Sequence, residues 1–171
     1  MMTHRKQALV IGIDYKDELP GCIHDANRME RFLRDQGYSV YKLCGDRATW
    51  TRITWAFTLL CAASYSGLID EVFFYYSGHG TRFDDTSGDE IDFHDEAIVT
   101  SDNYAISDDL FHKYLEWIPR WVKVKILMDC CHSGTAMDLE YRWYPETNAH
   151  MRNYMGSHVA DIQMISGCMD D

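Results

Sequence analysis

A chain of 171 residues, 46% hydrophobic and 13% aromatic, suffices for one domain with a real core. Asp and Glu number 27 against 16 Lys and Arg, a formal charge of −11, so nucleic acid is not an expected partner and cations are: metal ions, or peptides bearing Lys or Arg. The chain lacks an apolar run of about 18 residues, and residues 1–7 lack the apolar stretch of a signal peptide, which excludes an ordinary membrane span and gives no sign of secretion.

The six cysteines (22, 44, 61, 130, 131 and 168) form no CxxC pair, so reduced thiols and a cytoplasmic location are expected. Cys44 and Cys61 sit in apolar stretches and read as small core residues.

Strand and helix signals alternate along the chain. Residues 7–14 (QALVIGID) form a buried-type apolar run and predict a central strand. Residues 21–36 space Cys22, Ala26, Met29, Phe32 and Leu33 at helical intervals, with Gly37 as the stop. A short strand follows at 39–43. A second helix at 49–63 is capped near Thr49 and turns Ile53, Ala56, Phe57 and Leu60 to one face.

Residues 71–76 (EVFFYY) predict a strand. Between Phe83 and Asp102 lie eight carboxylates (Asp84, Asp85, Asp89, Glu90, Asp92, Asp95, Glu96 and Asp102) with no Lys or Arg, and 97–99 is a short extended piece. Ser107 caps a helix reaching about Trp117, with Asp108 and Asp109 in its first turn, where the helix dipole favours acids. Strands at 122–128 (VKVKILM) and 161–166 (DIQMIS) complete the series. The 140–158 segment reads as a polar, aromatic loop.

Strands alternating with helices predict an α/β domain: a mostly parallel sheet covered on both faces, with ligands beyond the carboxyl ends of its strands. Three polar turns follow apolar strands: Asp14-Tyr15, Ser77-Gly78-His79-Gly80, and Asp129-Cys130-Cys131-His132-Ser133-Gly134. A thiol becomes a strong nucleophile when a neighbouring base takes its proton, and His suits that task because its ordinary pKa lies near neutrality. His79 and Cys131 are therefore the candidate base and nucleophile.

Glycines flanking His79 allow a sharp turn and close approach of a substrate. Backbone N–H groups of Gly80 and Cys131 are the candidate oxyanion donors. The bland alternative is a core His with two core Cys, but Gly-flanked polar turns are poor core material. Zinc held by His79, Cys130, Cys131 and His132 is a further alternative; adjacent cysteines should point apart, and the usual ligand spacing is absent.

The segments ALVIGIDY, LPGCIHDANRM, FFYYSGHG, GDEIDFHDEAIV, ISDDL, ILMDCCHSGTAMDLEY and MISGCMDD run in order from about residue 8 to residue 171. Together they closely resemble the metacaspases, caspase-like cysteine peptidases. The resemblance implies a caspase-like three-layer sandwich and a single p20-type catalytic domain over residues 1–171. It also implies a His79/Cys131 dyad that cuts peptide or protein substrates after Arg or Lys. The basic side chain would enter an anionic pocket whose family positions fall on Cys22, Asp25, Ser77 and Asp129; standing alone, Asp25 would pass for a solvated acid at a helix start.

The resemblance further implies an activating Ca²⁺ held by Asp95, Asp108, Asp109 and Asp138. The acidic stretch is not an EF-hand, because Gly88 does not sit six residues into an Asp-led loop ending in Glu. A solvated acidic face is the competing reading. Family members continue past the MISGCMDD strand into a small-subunit region. Its absence up to Asp171 implies a piece of a longer protein, or a chain that needs a separate small-subunit partner. An inactive or partner-dependent homologue acting as a binding module is the alternative function. The 140–158 loop offers Arg142 and Arg152 as self-cleavage points.

Overall fold

The computed structural model describes residues 5–16, 18–84, 94–131, 141–144, 149–152 and 160–167. In chain order these form β1 (Lys6–Gly12), α1 (Cys22–Asp35), β2 (Tyr38–Cys44), a 3₁₀ turn (Gly45–Arg47), α2 (Trp50–Tyr65), β3 (Glu71–Ser77), β4 (Gly80–Asp84), β5 (His94–Val99) and β6 (Ala105–Ser107). They continue with α3 (Asp108–Glu116), β7 (Lys123–Asp129), β8 (Tyr141–Tyr144), β9 (Ala149–Arg152) and β10 (Asp161–Ser166).

Five strands make one sheet in the order β10-β7-β3-β1-β2, with every pair parallel. The apolar run of β1 is central because it is buried on both faces: Leu9 and Ile11 point one way, Ala8 and Val10 the other. The first face packs against α2 and α3, where the Phe57 ring lies 4.8 Å from Phe74 and 4.9 Å from Phe111. The second face packs against α1 through Ala26 and Leu33. This is the expected three-layer α/β sandwich. Among the described residues no helix is long and apolar enough to cross a membrane.

The expected strand at 7–14 ends at Gly12, which frees Asp14 and Tyr15 to form a turn. Gly12 is required by packing. A Cβ there would stand 2.6 Å from both the Cys22 carbonyl oxygen and the Ala26 side chain, so only glycine lets the start of α1 press against the end of β1. Thr49 caps α2 as expected, its hydroxyl accepting from the Arg52 N–H at 3.4 Å.

Ser107 occupies the cap position of α3, but its hydroxyl makes no cap bond. The Asp108 carboxylate accepts from the Asp109 N–H at 2.9 Å instead. The 140–158 segment, expected to be a loop, contains the antiparallel ribbon β8–β9. Strands β4, β5 and β6 form a second, antiparallel sheet, of which only part of β5 was expected.

Candidate active site

In the parallel pair β3–β7, Ser77 lies opposite Asp129. Two residues beyond them stand His79 and Cys131, at the carboxyl ends of neighbouring strands about 4.8 Å apart. The two turns are joined directly. The Gly78 N–H donates to the Asp129 carbonyl at 3.4 Å, and a Cβ on Gly80 would sit 1.8 Å from the Cys131 carbonyl oxygen. Cys130 is buried and its neighbour Cys131 is exposed, so the two thiols point apart. Among the described residues no three His, Cys, Asp or Glu side chains are grouped to hold a metal, and His132 lies outside them.

Neither Gly78 nor Gly80 has a positive φ, so the expected sharp glycine turn is not their reason. Both glycines make room for other parts of the protein. A Cβ on Gly78 would meet the hydroxyls of Tyr76 and Tyr15, at 2.6 and 3.0 Å. The Val99 N–H donates to the His79 carbonyl at 3.0 Å, which makes His79/Val99 a hydrogen-bonded position of the β4–β5 ladder. The next pair, Gly80/Ile98, is then of the non-bonded kind, with its N–H turned away from β5. That leaves the Gly80 N–H free of this ladder.

Of the four expected pocket residues, Asp25 and Asp129 share a cleft with Tyr75, and Ser77 bonds Asp129. Burial pushes the Tyr75 phenol up to about 12, a hydrogen bond with Ser77 eases it, and Asp129, Asp25 and Cys22 raise it further. Ser77 is buried and its hydroxyl donates to Asp129 at 3.3 Å. Asp25, Tyr75, Met29, Asp129 and Gly167 line a cleft of about 390 Å³. Asp25 is half exposed, with Arg28 at 4.0 Å as its helical neighbour. Gly167, just past β10, closes the wall: a Cβ there would stand 3.3 Å from the Asp129 carboxylate.

Residues 6–140 match the family model "Metacaspase, peptidase C14 domain". The chain belongs to the metacaspase family. It is 34% identical over 159 residues to Metacaspase-1 of Cryptococcus neoformans, covering 84% of this chain and 35% of that protein. It is 38% identical to Metacaspase-7 of Arabidopsis thaliana over 146 residues, 78% of this chain and 36% of that one. Metacaspase-2 of Arabidopsis thaliana is 30% identical over 198 residues, 98% of this chain and 46% of that protein. The chain thus spans less than half the length of these relatives. The crystal structure of protein GSU0716 from Geobacter sulfurreducens superimposes with a TM-score of 0.72 at 28% identity, over 97% of this chain and 74% of that one.

In this metacaspase domain the four carboxylates expected to bind Ca²⁺ are described unequally. Asp138 lies outside the described residues, and Asp95 is placed by backbone only, opposite Phe83 in the β4–β5 ladder. Asp108 is buried, and its carboxylate accepts from the N–H groups of Glu96, at 3.0 Å, and Asp109. The β5–β6 register pairs Ala97 with Ser107. Past that pair β6 gives way to α3, and the bond from the Glu96 N–H to the Asp108 carboxylate ties β5 to the start of the helix. Carboxylate oxygens are the donor type that a hard cation such as Ca²⁺ takes.

Tyr75, Tyr76 and Glu18 escaped the sequence reading, and Tyr15 was placed in a strand-end turn without a role. Tyr75 lines the acidic cleft. Tyr15 and Tyr76 bond to the main chain of His79. The Glu18 carboxylate lies 3.8 Å from Nε2 of His79. The available signal was position: Tyr15 follows the first apolar strand, and Tyr75-Tyr76 immediately precede the Ser-Gly-His-Gly turn.

Proposed function

We propose that this metacaspase domain hydrolyses peptide bonds after Arg or Lys, with Cys131 as nucleophile and His79 as base, and that Ca²⁺ stimulates it. One observation carries the reading: the β3–β7 register, which sets the turns of His79 and Cys131 side by side next to an acidic cleft. The Cys131 thiol gives its proton to His79, and its sulfur forms a bond to the scissile carbonyl carbon. The N–H groups of Gly80 and Cys131 take the developing oxyanion. The C–N bond then breaks, and the leaving amine receives the proton from His79. A water molecule, deprotonated by His79, cleaves the thioester and restores the thiol.

Asp25 and Asp129 pair with the guanidinium or ammonium of the residue before the cut, and Ser77 and Cys22 complete the pocket. Asp95, Asp108, Asp109 and Asp138 would hold Ca²⁺, whose charge offsets the clustered carboxylates. A fluorogenic peptide assay tests the reading. Arg and Lys peptides should be cleaved and an Asp peptide spared, with activity rising in Ca²⁺ and lost in Cys131→Ala. Equal rates in the wild type and Cys131→Ala overturn it.

A second reading, partner dependence, is favoured by β10. This strand pairs only with β7 among the described residues, and its Ile165 side chain is 69% exposed. An open strand edge invites another strand, so a separate small-subunit chain would dock there. Folded protein without activity at any Ca²⁺ concentration supports this second reading over the first.

A further inference from the structure

The hydrogen-bond ladder between β4 and β5 has an irregularity at His79. In an antiparallel ladder a hydrogen-bonded pair exchanges two bonds. At His79/Val99 only one is made: the Val99 N–H donates to the His79 carbonyl. The reciprocal bond, His79 N–H to Val99 carbonyl, is replaced by the Tyr15 hydroxyl. That oxygen accepts from the His79 N–H at 3.1 Å and donates to the Val99 carbonyl at 2.6 Å. The phenol has one proton, and the short contact to Val99 claims it, which leaves lone pairs for His79. Tyr15 is therefore spliced into the ladder at the residue that carries the base.

Two further features bear on the same contact. The Tyr15 ring lies against the His79 imidazole, with centroids 4.4 Å apart and planes tilted by 42°. Tyr15 and Lys16 also adopt φ of 46° and 57°, left-handed conformations that are costly for side chains of their kind. Backbone strain of this sort persists only where surrounding contacts impose it. The contacts that do so here are those of Tyr15 with His79, Val99 and Tyr76, the last at 2.9 Å between hydroxyls.

We infer that Tyr15 is a positioning residue: it holds His79 away from β5 and fixes its ring for proton exchange with Cys131. The inference rests on the peptidase reading above. Without the hydroxyl, the His79 N–H can close onto the Val99 carbonyl, and this regular ladder draws the imidazole toward β5. The charged groups facing His79 stand in the turn after β1 and the turn after β2. Glu18 is at 3.8 Å, and Asp14, Lys16 and Asp46 line the same cleft of about 430 Å³. All four are kept in the test.

The experiment compares the wild type, Tyr15→Phe and His79→Ala by peptide turnover and by the pH dependence of iodoacetamide alkylation at Cys131, read by peptide mass mapping. Tyr15→Phe should lower kcat by about 10- to 100-fold, with KM changed by less than about twofold, as a small misplacement of the base requires. Its alkylation profile should move toward that of His79→Ala. A purely structural tyrosine would move neither the kcat-against-KM split nor the profile.

If His79→Ala differs from the wild type while Tyr15→Phe matches it, the positioning role is overturned and the dyad stands. If the wild type and His79→Ala alkylate alike, the dyad itself falls, and the positioning role with it. Should Tyr15→Phe not fold, the His79 ring protons of the wild type report instead. The close packing of the ring against Tyr15 predicts a ring-current shift, and solvent-like resonances overturn the role.

Discussion

A methyl group on Gly80 would lie 1.8 Å from the Cys131 carbonyl oxygen, far inside van der Waals contact. The obstacle is backbone, which cannot swing aside as a side-chain tip can. Gly80→Ala should therefore push the turns of His79 and Cys131 apart, costing about 1–3 kcal/mol as overpacked sites do, and, on the peptidase proposal, abolish turnover. A thermal melt and the Arg-peptide assay check it; a variant with native melting and full activity would contradict the close approach.

The acidic cleft supports a contrasting prediction. Asp25 and Asp129 are both solvent-accessible, so neither contributes much to the fold. Asp25→Ala and Asp129→Ala should keep the native melting temperature yet lose about 100-fold or more in kcat/KM on Arg peptides, since each removes a charge partner of the substrate. Unchanged Arg turnover in both would refute the pocket. Tyr75 is buried among these groups and belongs to the same cleft, although its apolar strand context made it look like ordinary core.

At the level of elements, the opposite end of the sheet carries a polar cluster. Four strands bring polar groups together at their amino ends: Lys6 of β1, Tyr38 of β2, Glu71 of β3 and Lys125 of β7. Lys125 donates to Glu71 at 2.7 Å, Lys6 lies 3.6 Å away, and the Tyr38 hydroxyl donates to the same carboxylate. Burial pushes the Glu71 carboxyl up, but the bonds from Lys125 and Tyr38 and the charge of Lys6 outweigh it and hold it at about 2, against an ordinary 4.5.

A depressed carboxyl pKa means the unfolded chain binds the proton first. The contribution is complete above about 4.5 and is lost as pH falls toward 2. Because Lys125 is itself half exposed, screening trims the effect; Glu71→Gln should cost about 2 kcal/mol at pH 7. Urea titrations should show the wild type and Glu71→Gln converging as pH drops from 7 to 3. A gap that stays constant over that range would remove the ionic contribution.

The parallel strands were legible in sequence because burial on both faces leaves runs such as QALVIGID and EVFFYY. Strands β4, β6, β8 and β9 were not. They are three to five residues long and pair with near neighbours in sequence, as Tyr141–Tyr144 does with Ala149–Arg152, so they leave no apolar run of the kind that marks a buried parallel strand. The adjacent turns of His79 and Cys131 could be located from their polar, glycine-flanked sequence. The role of Tyr15 could not be read there, because it depends on a missing ladder bond that only the fold creates.

Over the whole molecule, the two ends of the sheet differ: a cation-neutralised carboxylate stands at the amino ends, and the proposed dyad and the acidic cleft at the carboxyl ends. The remaining imbalance is charge. A formal −11 is concentrated in the stretch that leads to β5 and α3. On the calcium proposal, Asp108 and Asp109 should behave differently although they are adjacent. Asp108 is buried and caps two N–H groups, so Asp108→Ala should cost about 1–3 kcal/mol even in a chelator. Asp109 is less buried, so Asp109→Asn should leave the chelated protein's stability unchanged. Ca²⁺ at 100 times its Kd should stabilise the wild type by about 2.7 kcal/mol. Asp109→Asn should lose most of that gain. Thermal melts at constant ionic strength separate binding from screening. If Mg²⁺, or added NaCl of equal ionic strength, raises the melting temperature as much as Ca²⁺ does, the carboxylates form a solvated acidic face and the calcium site is refuted.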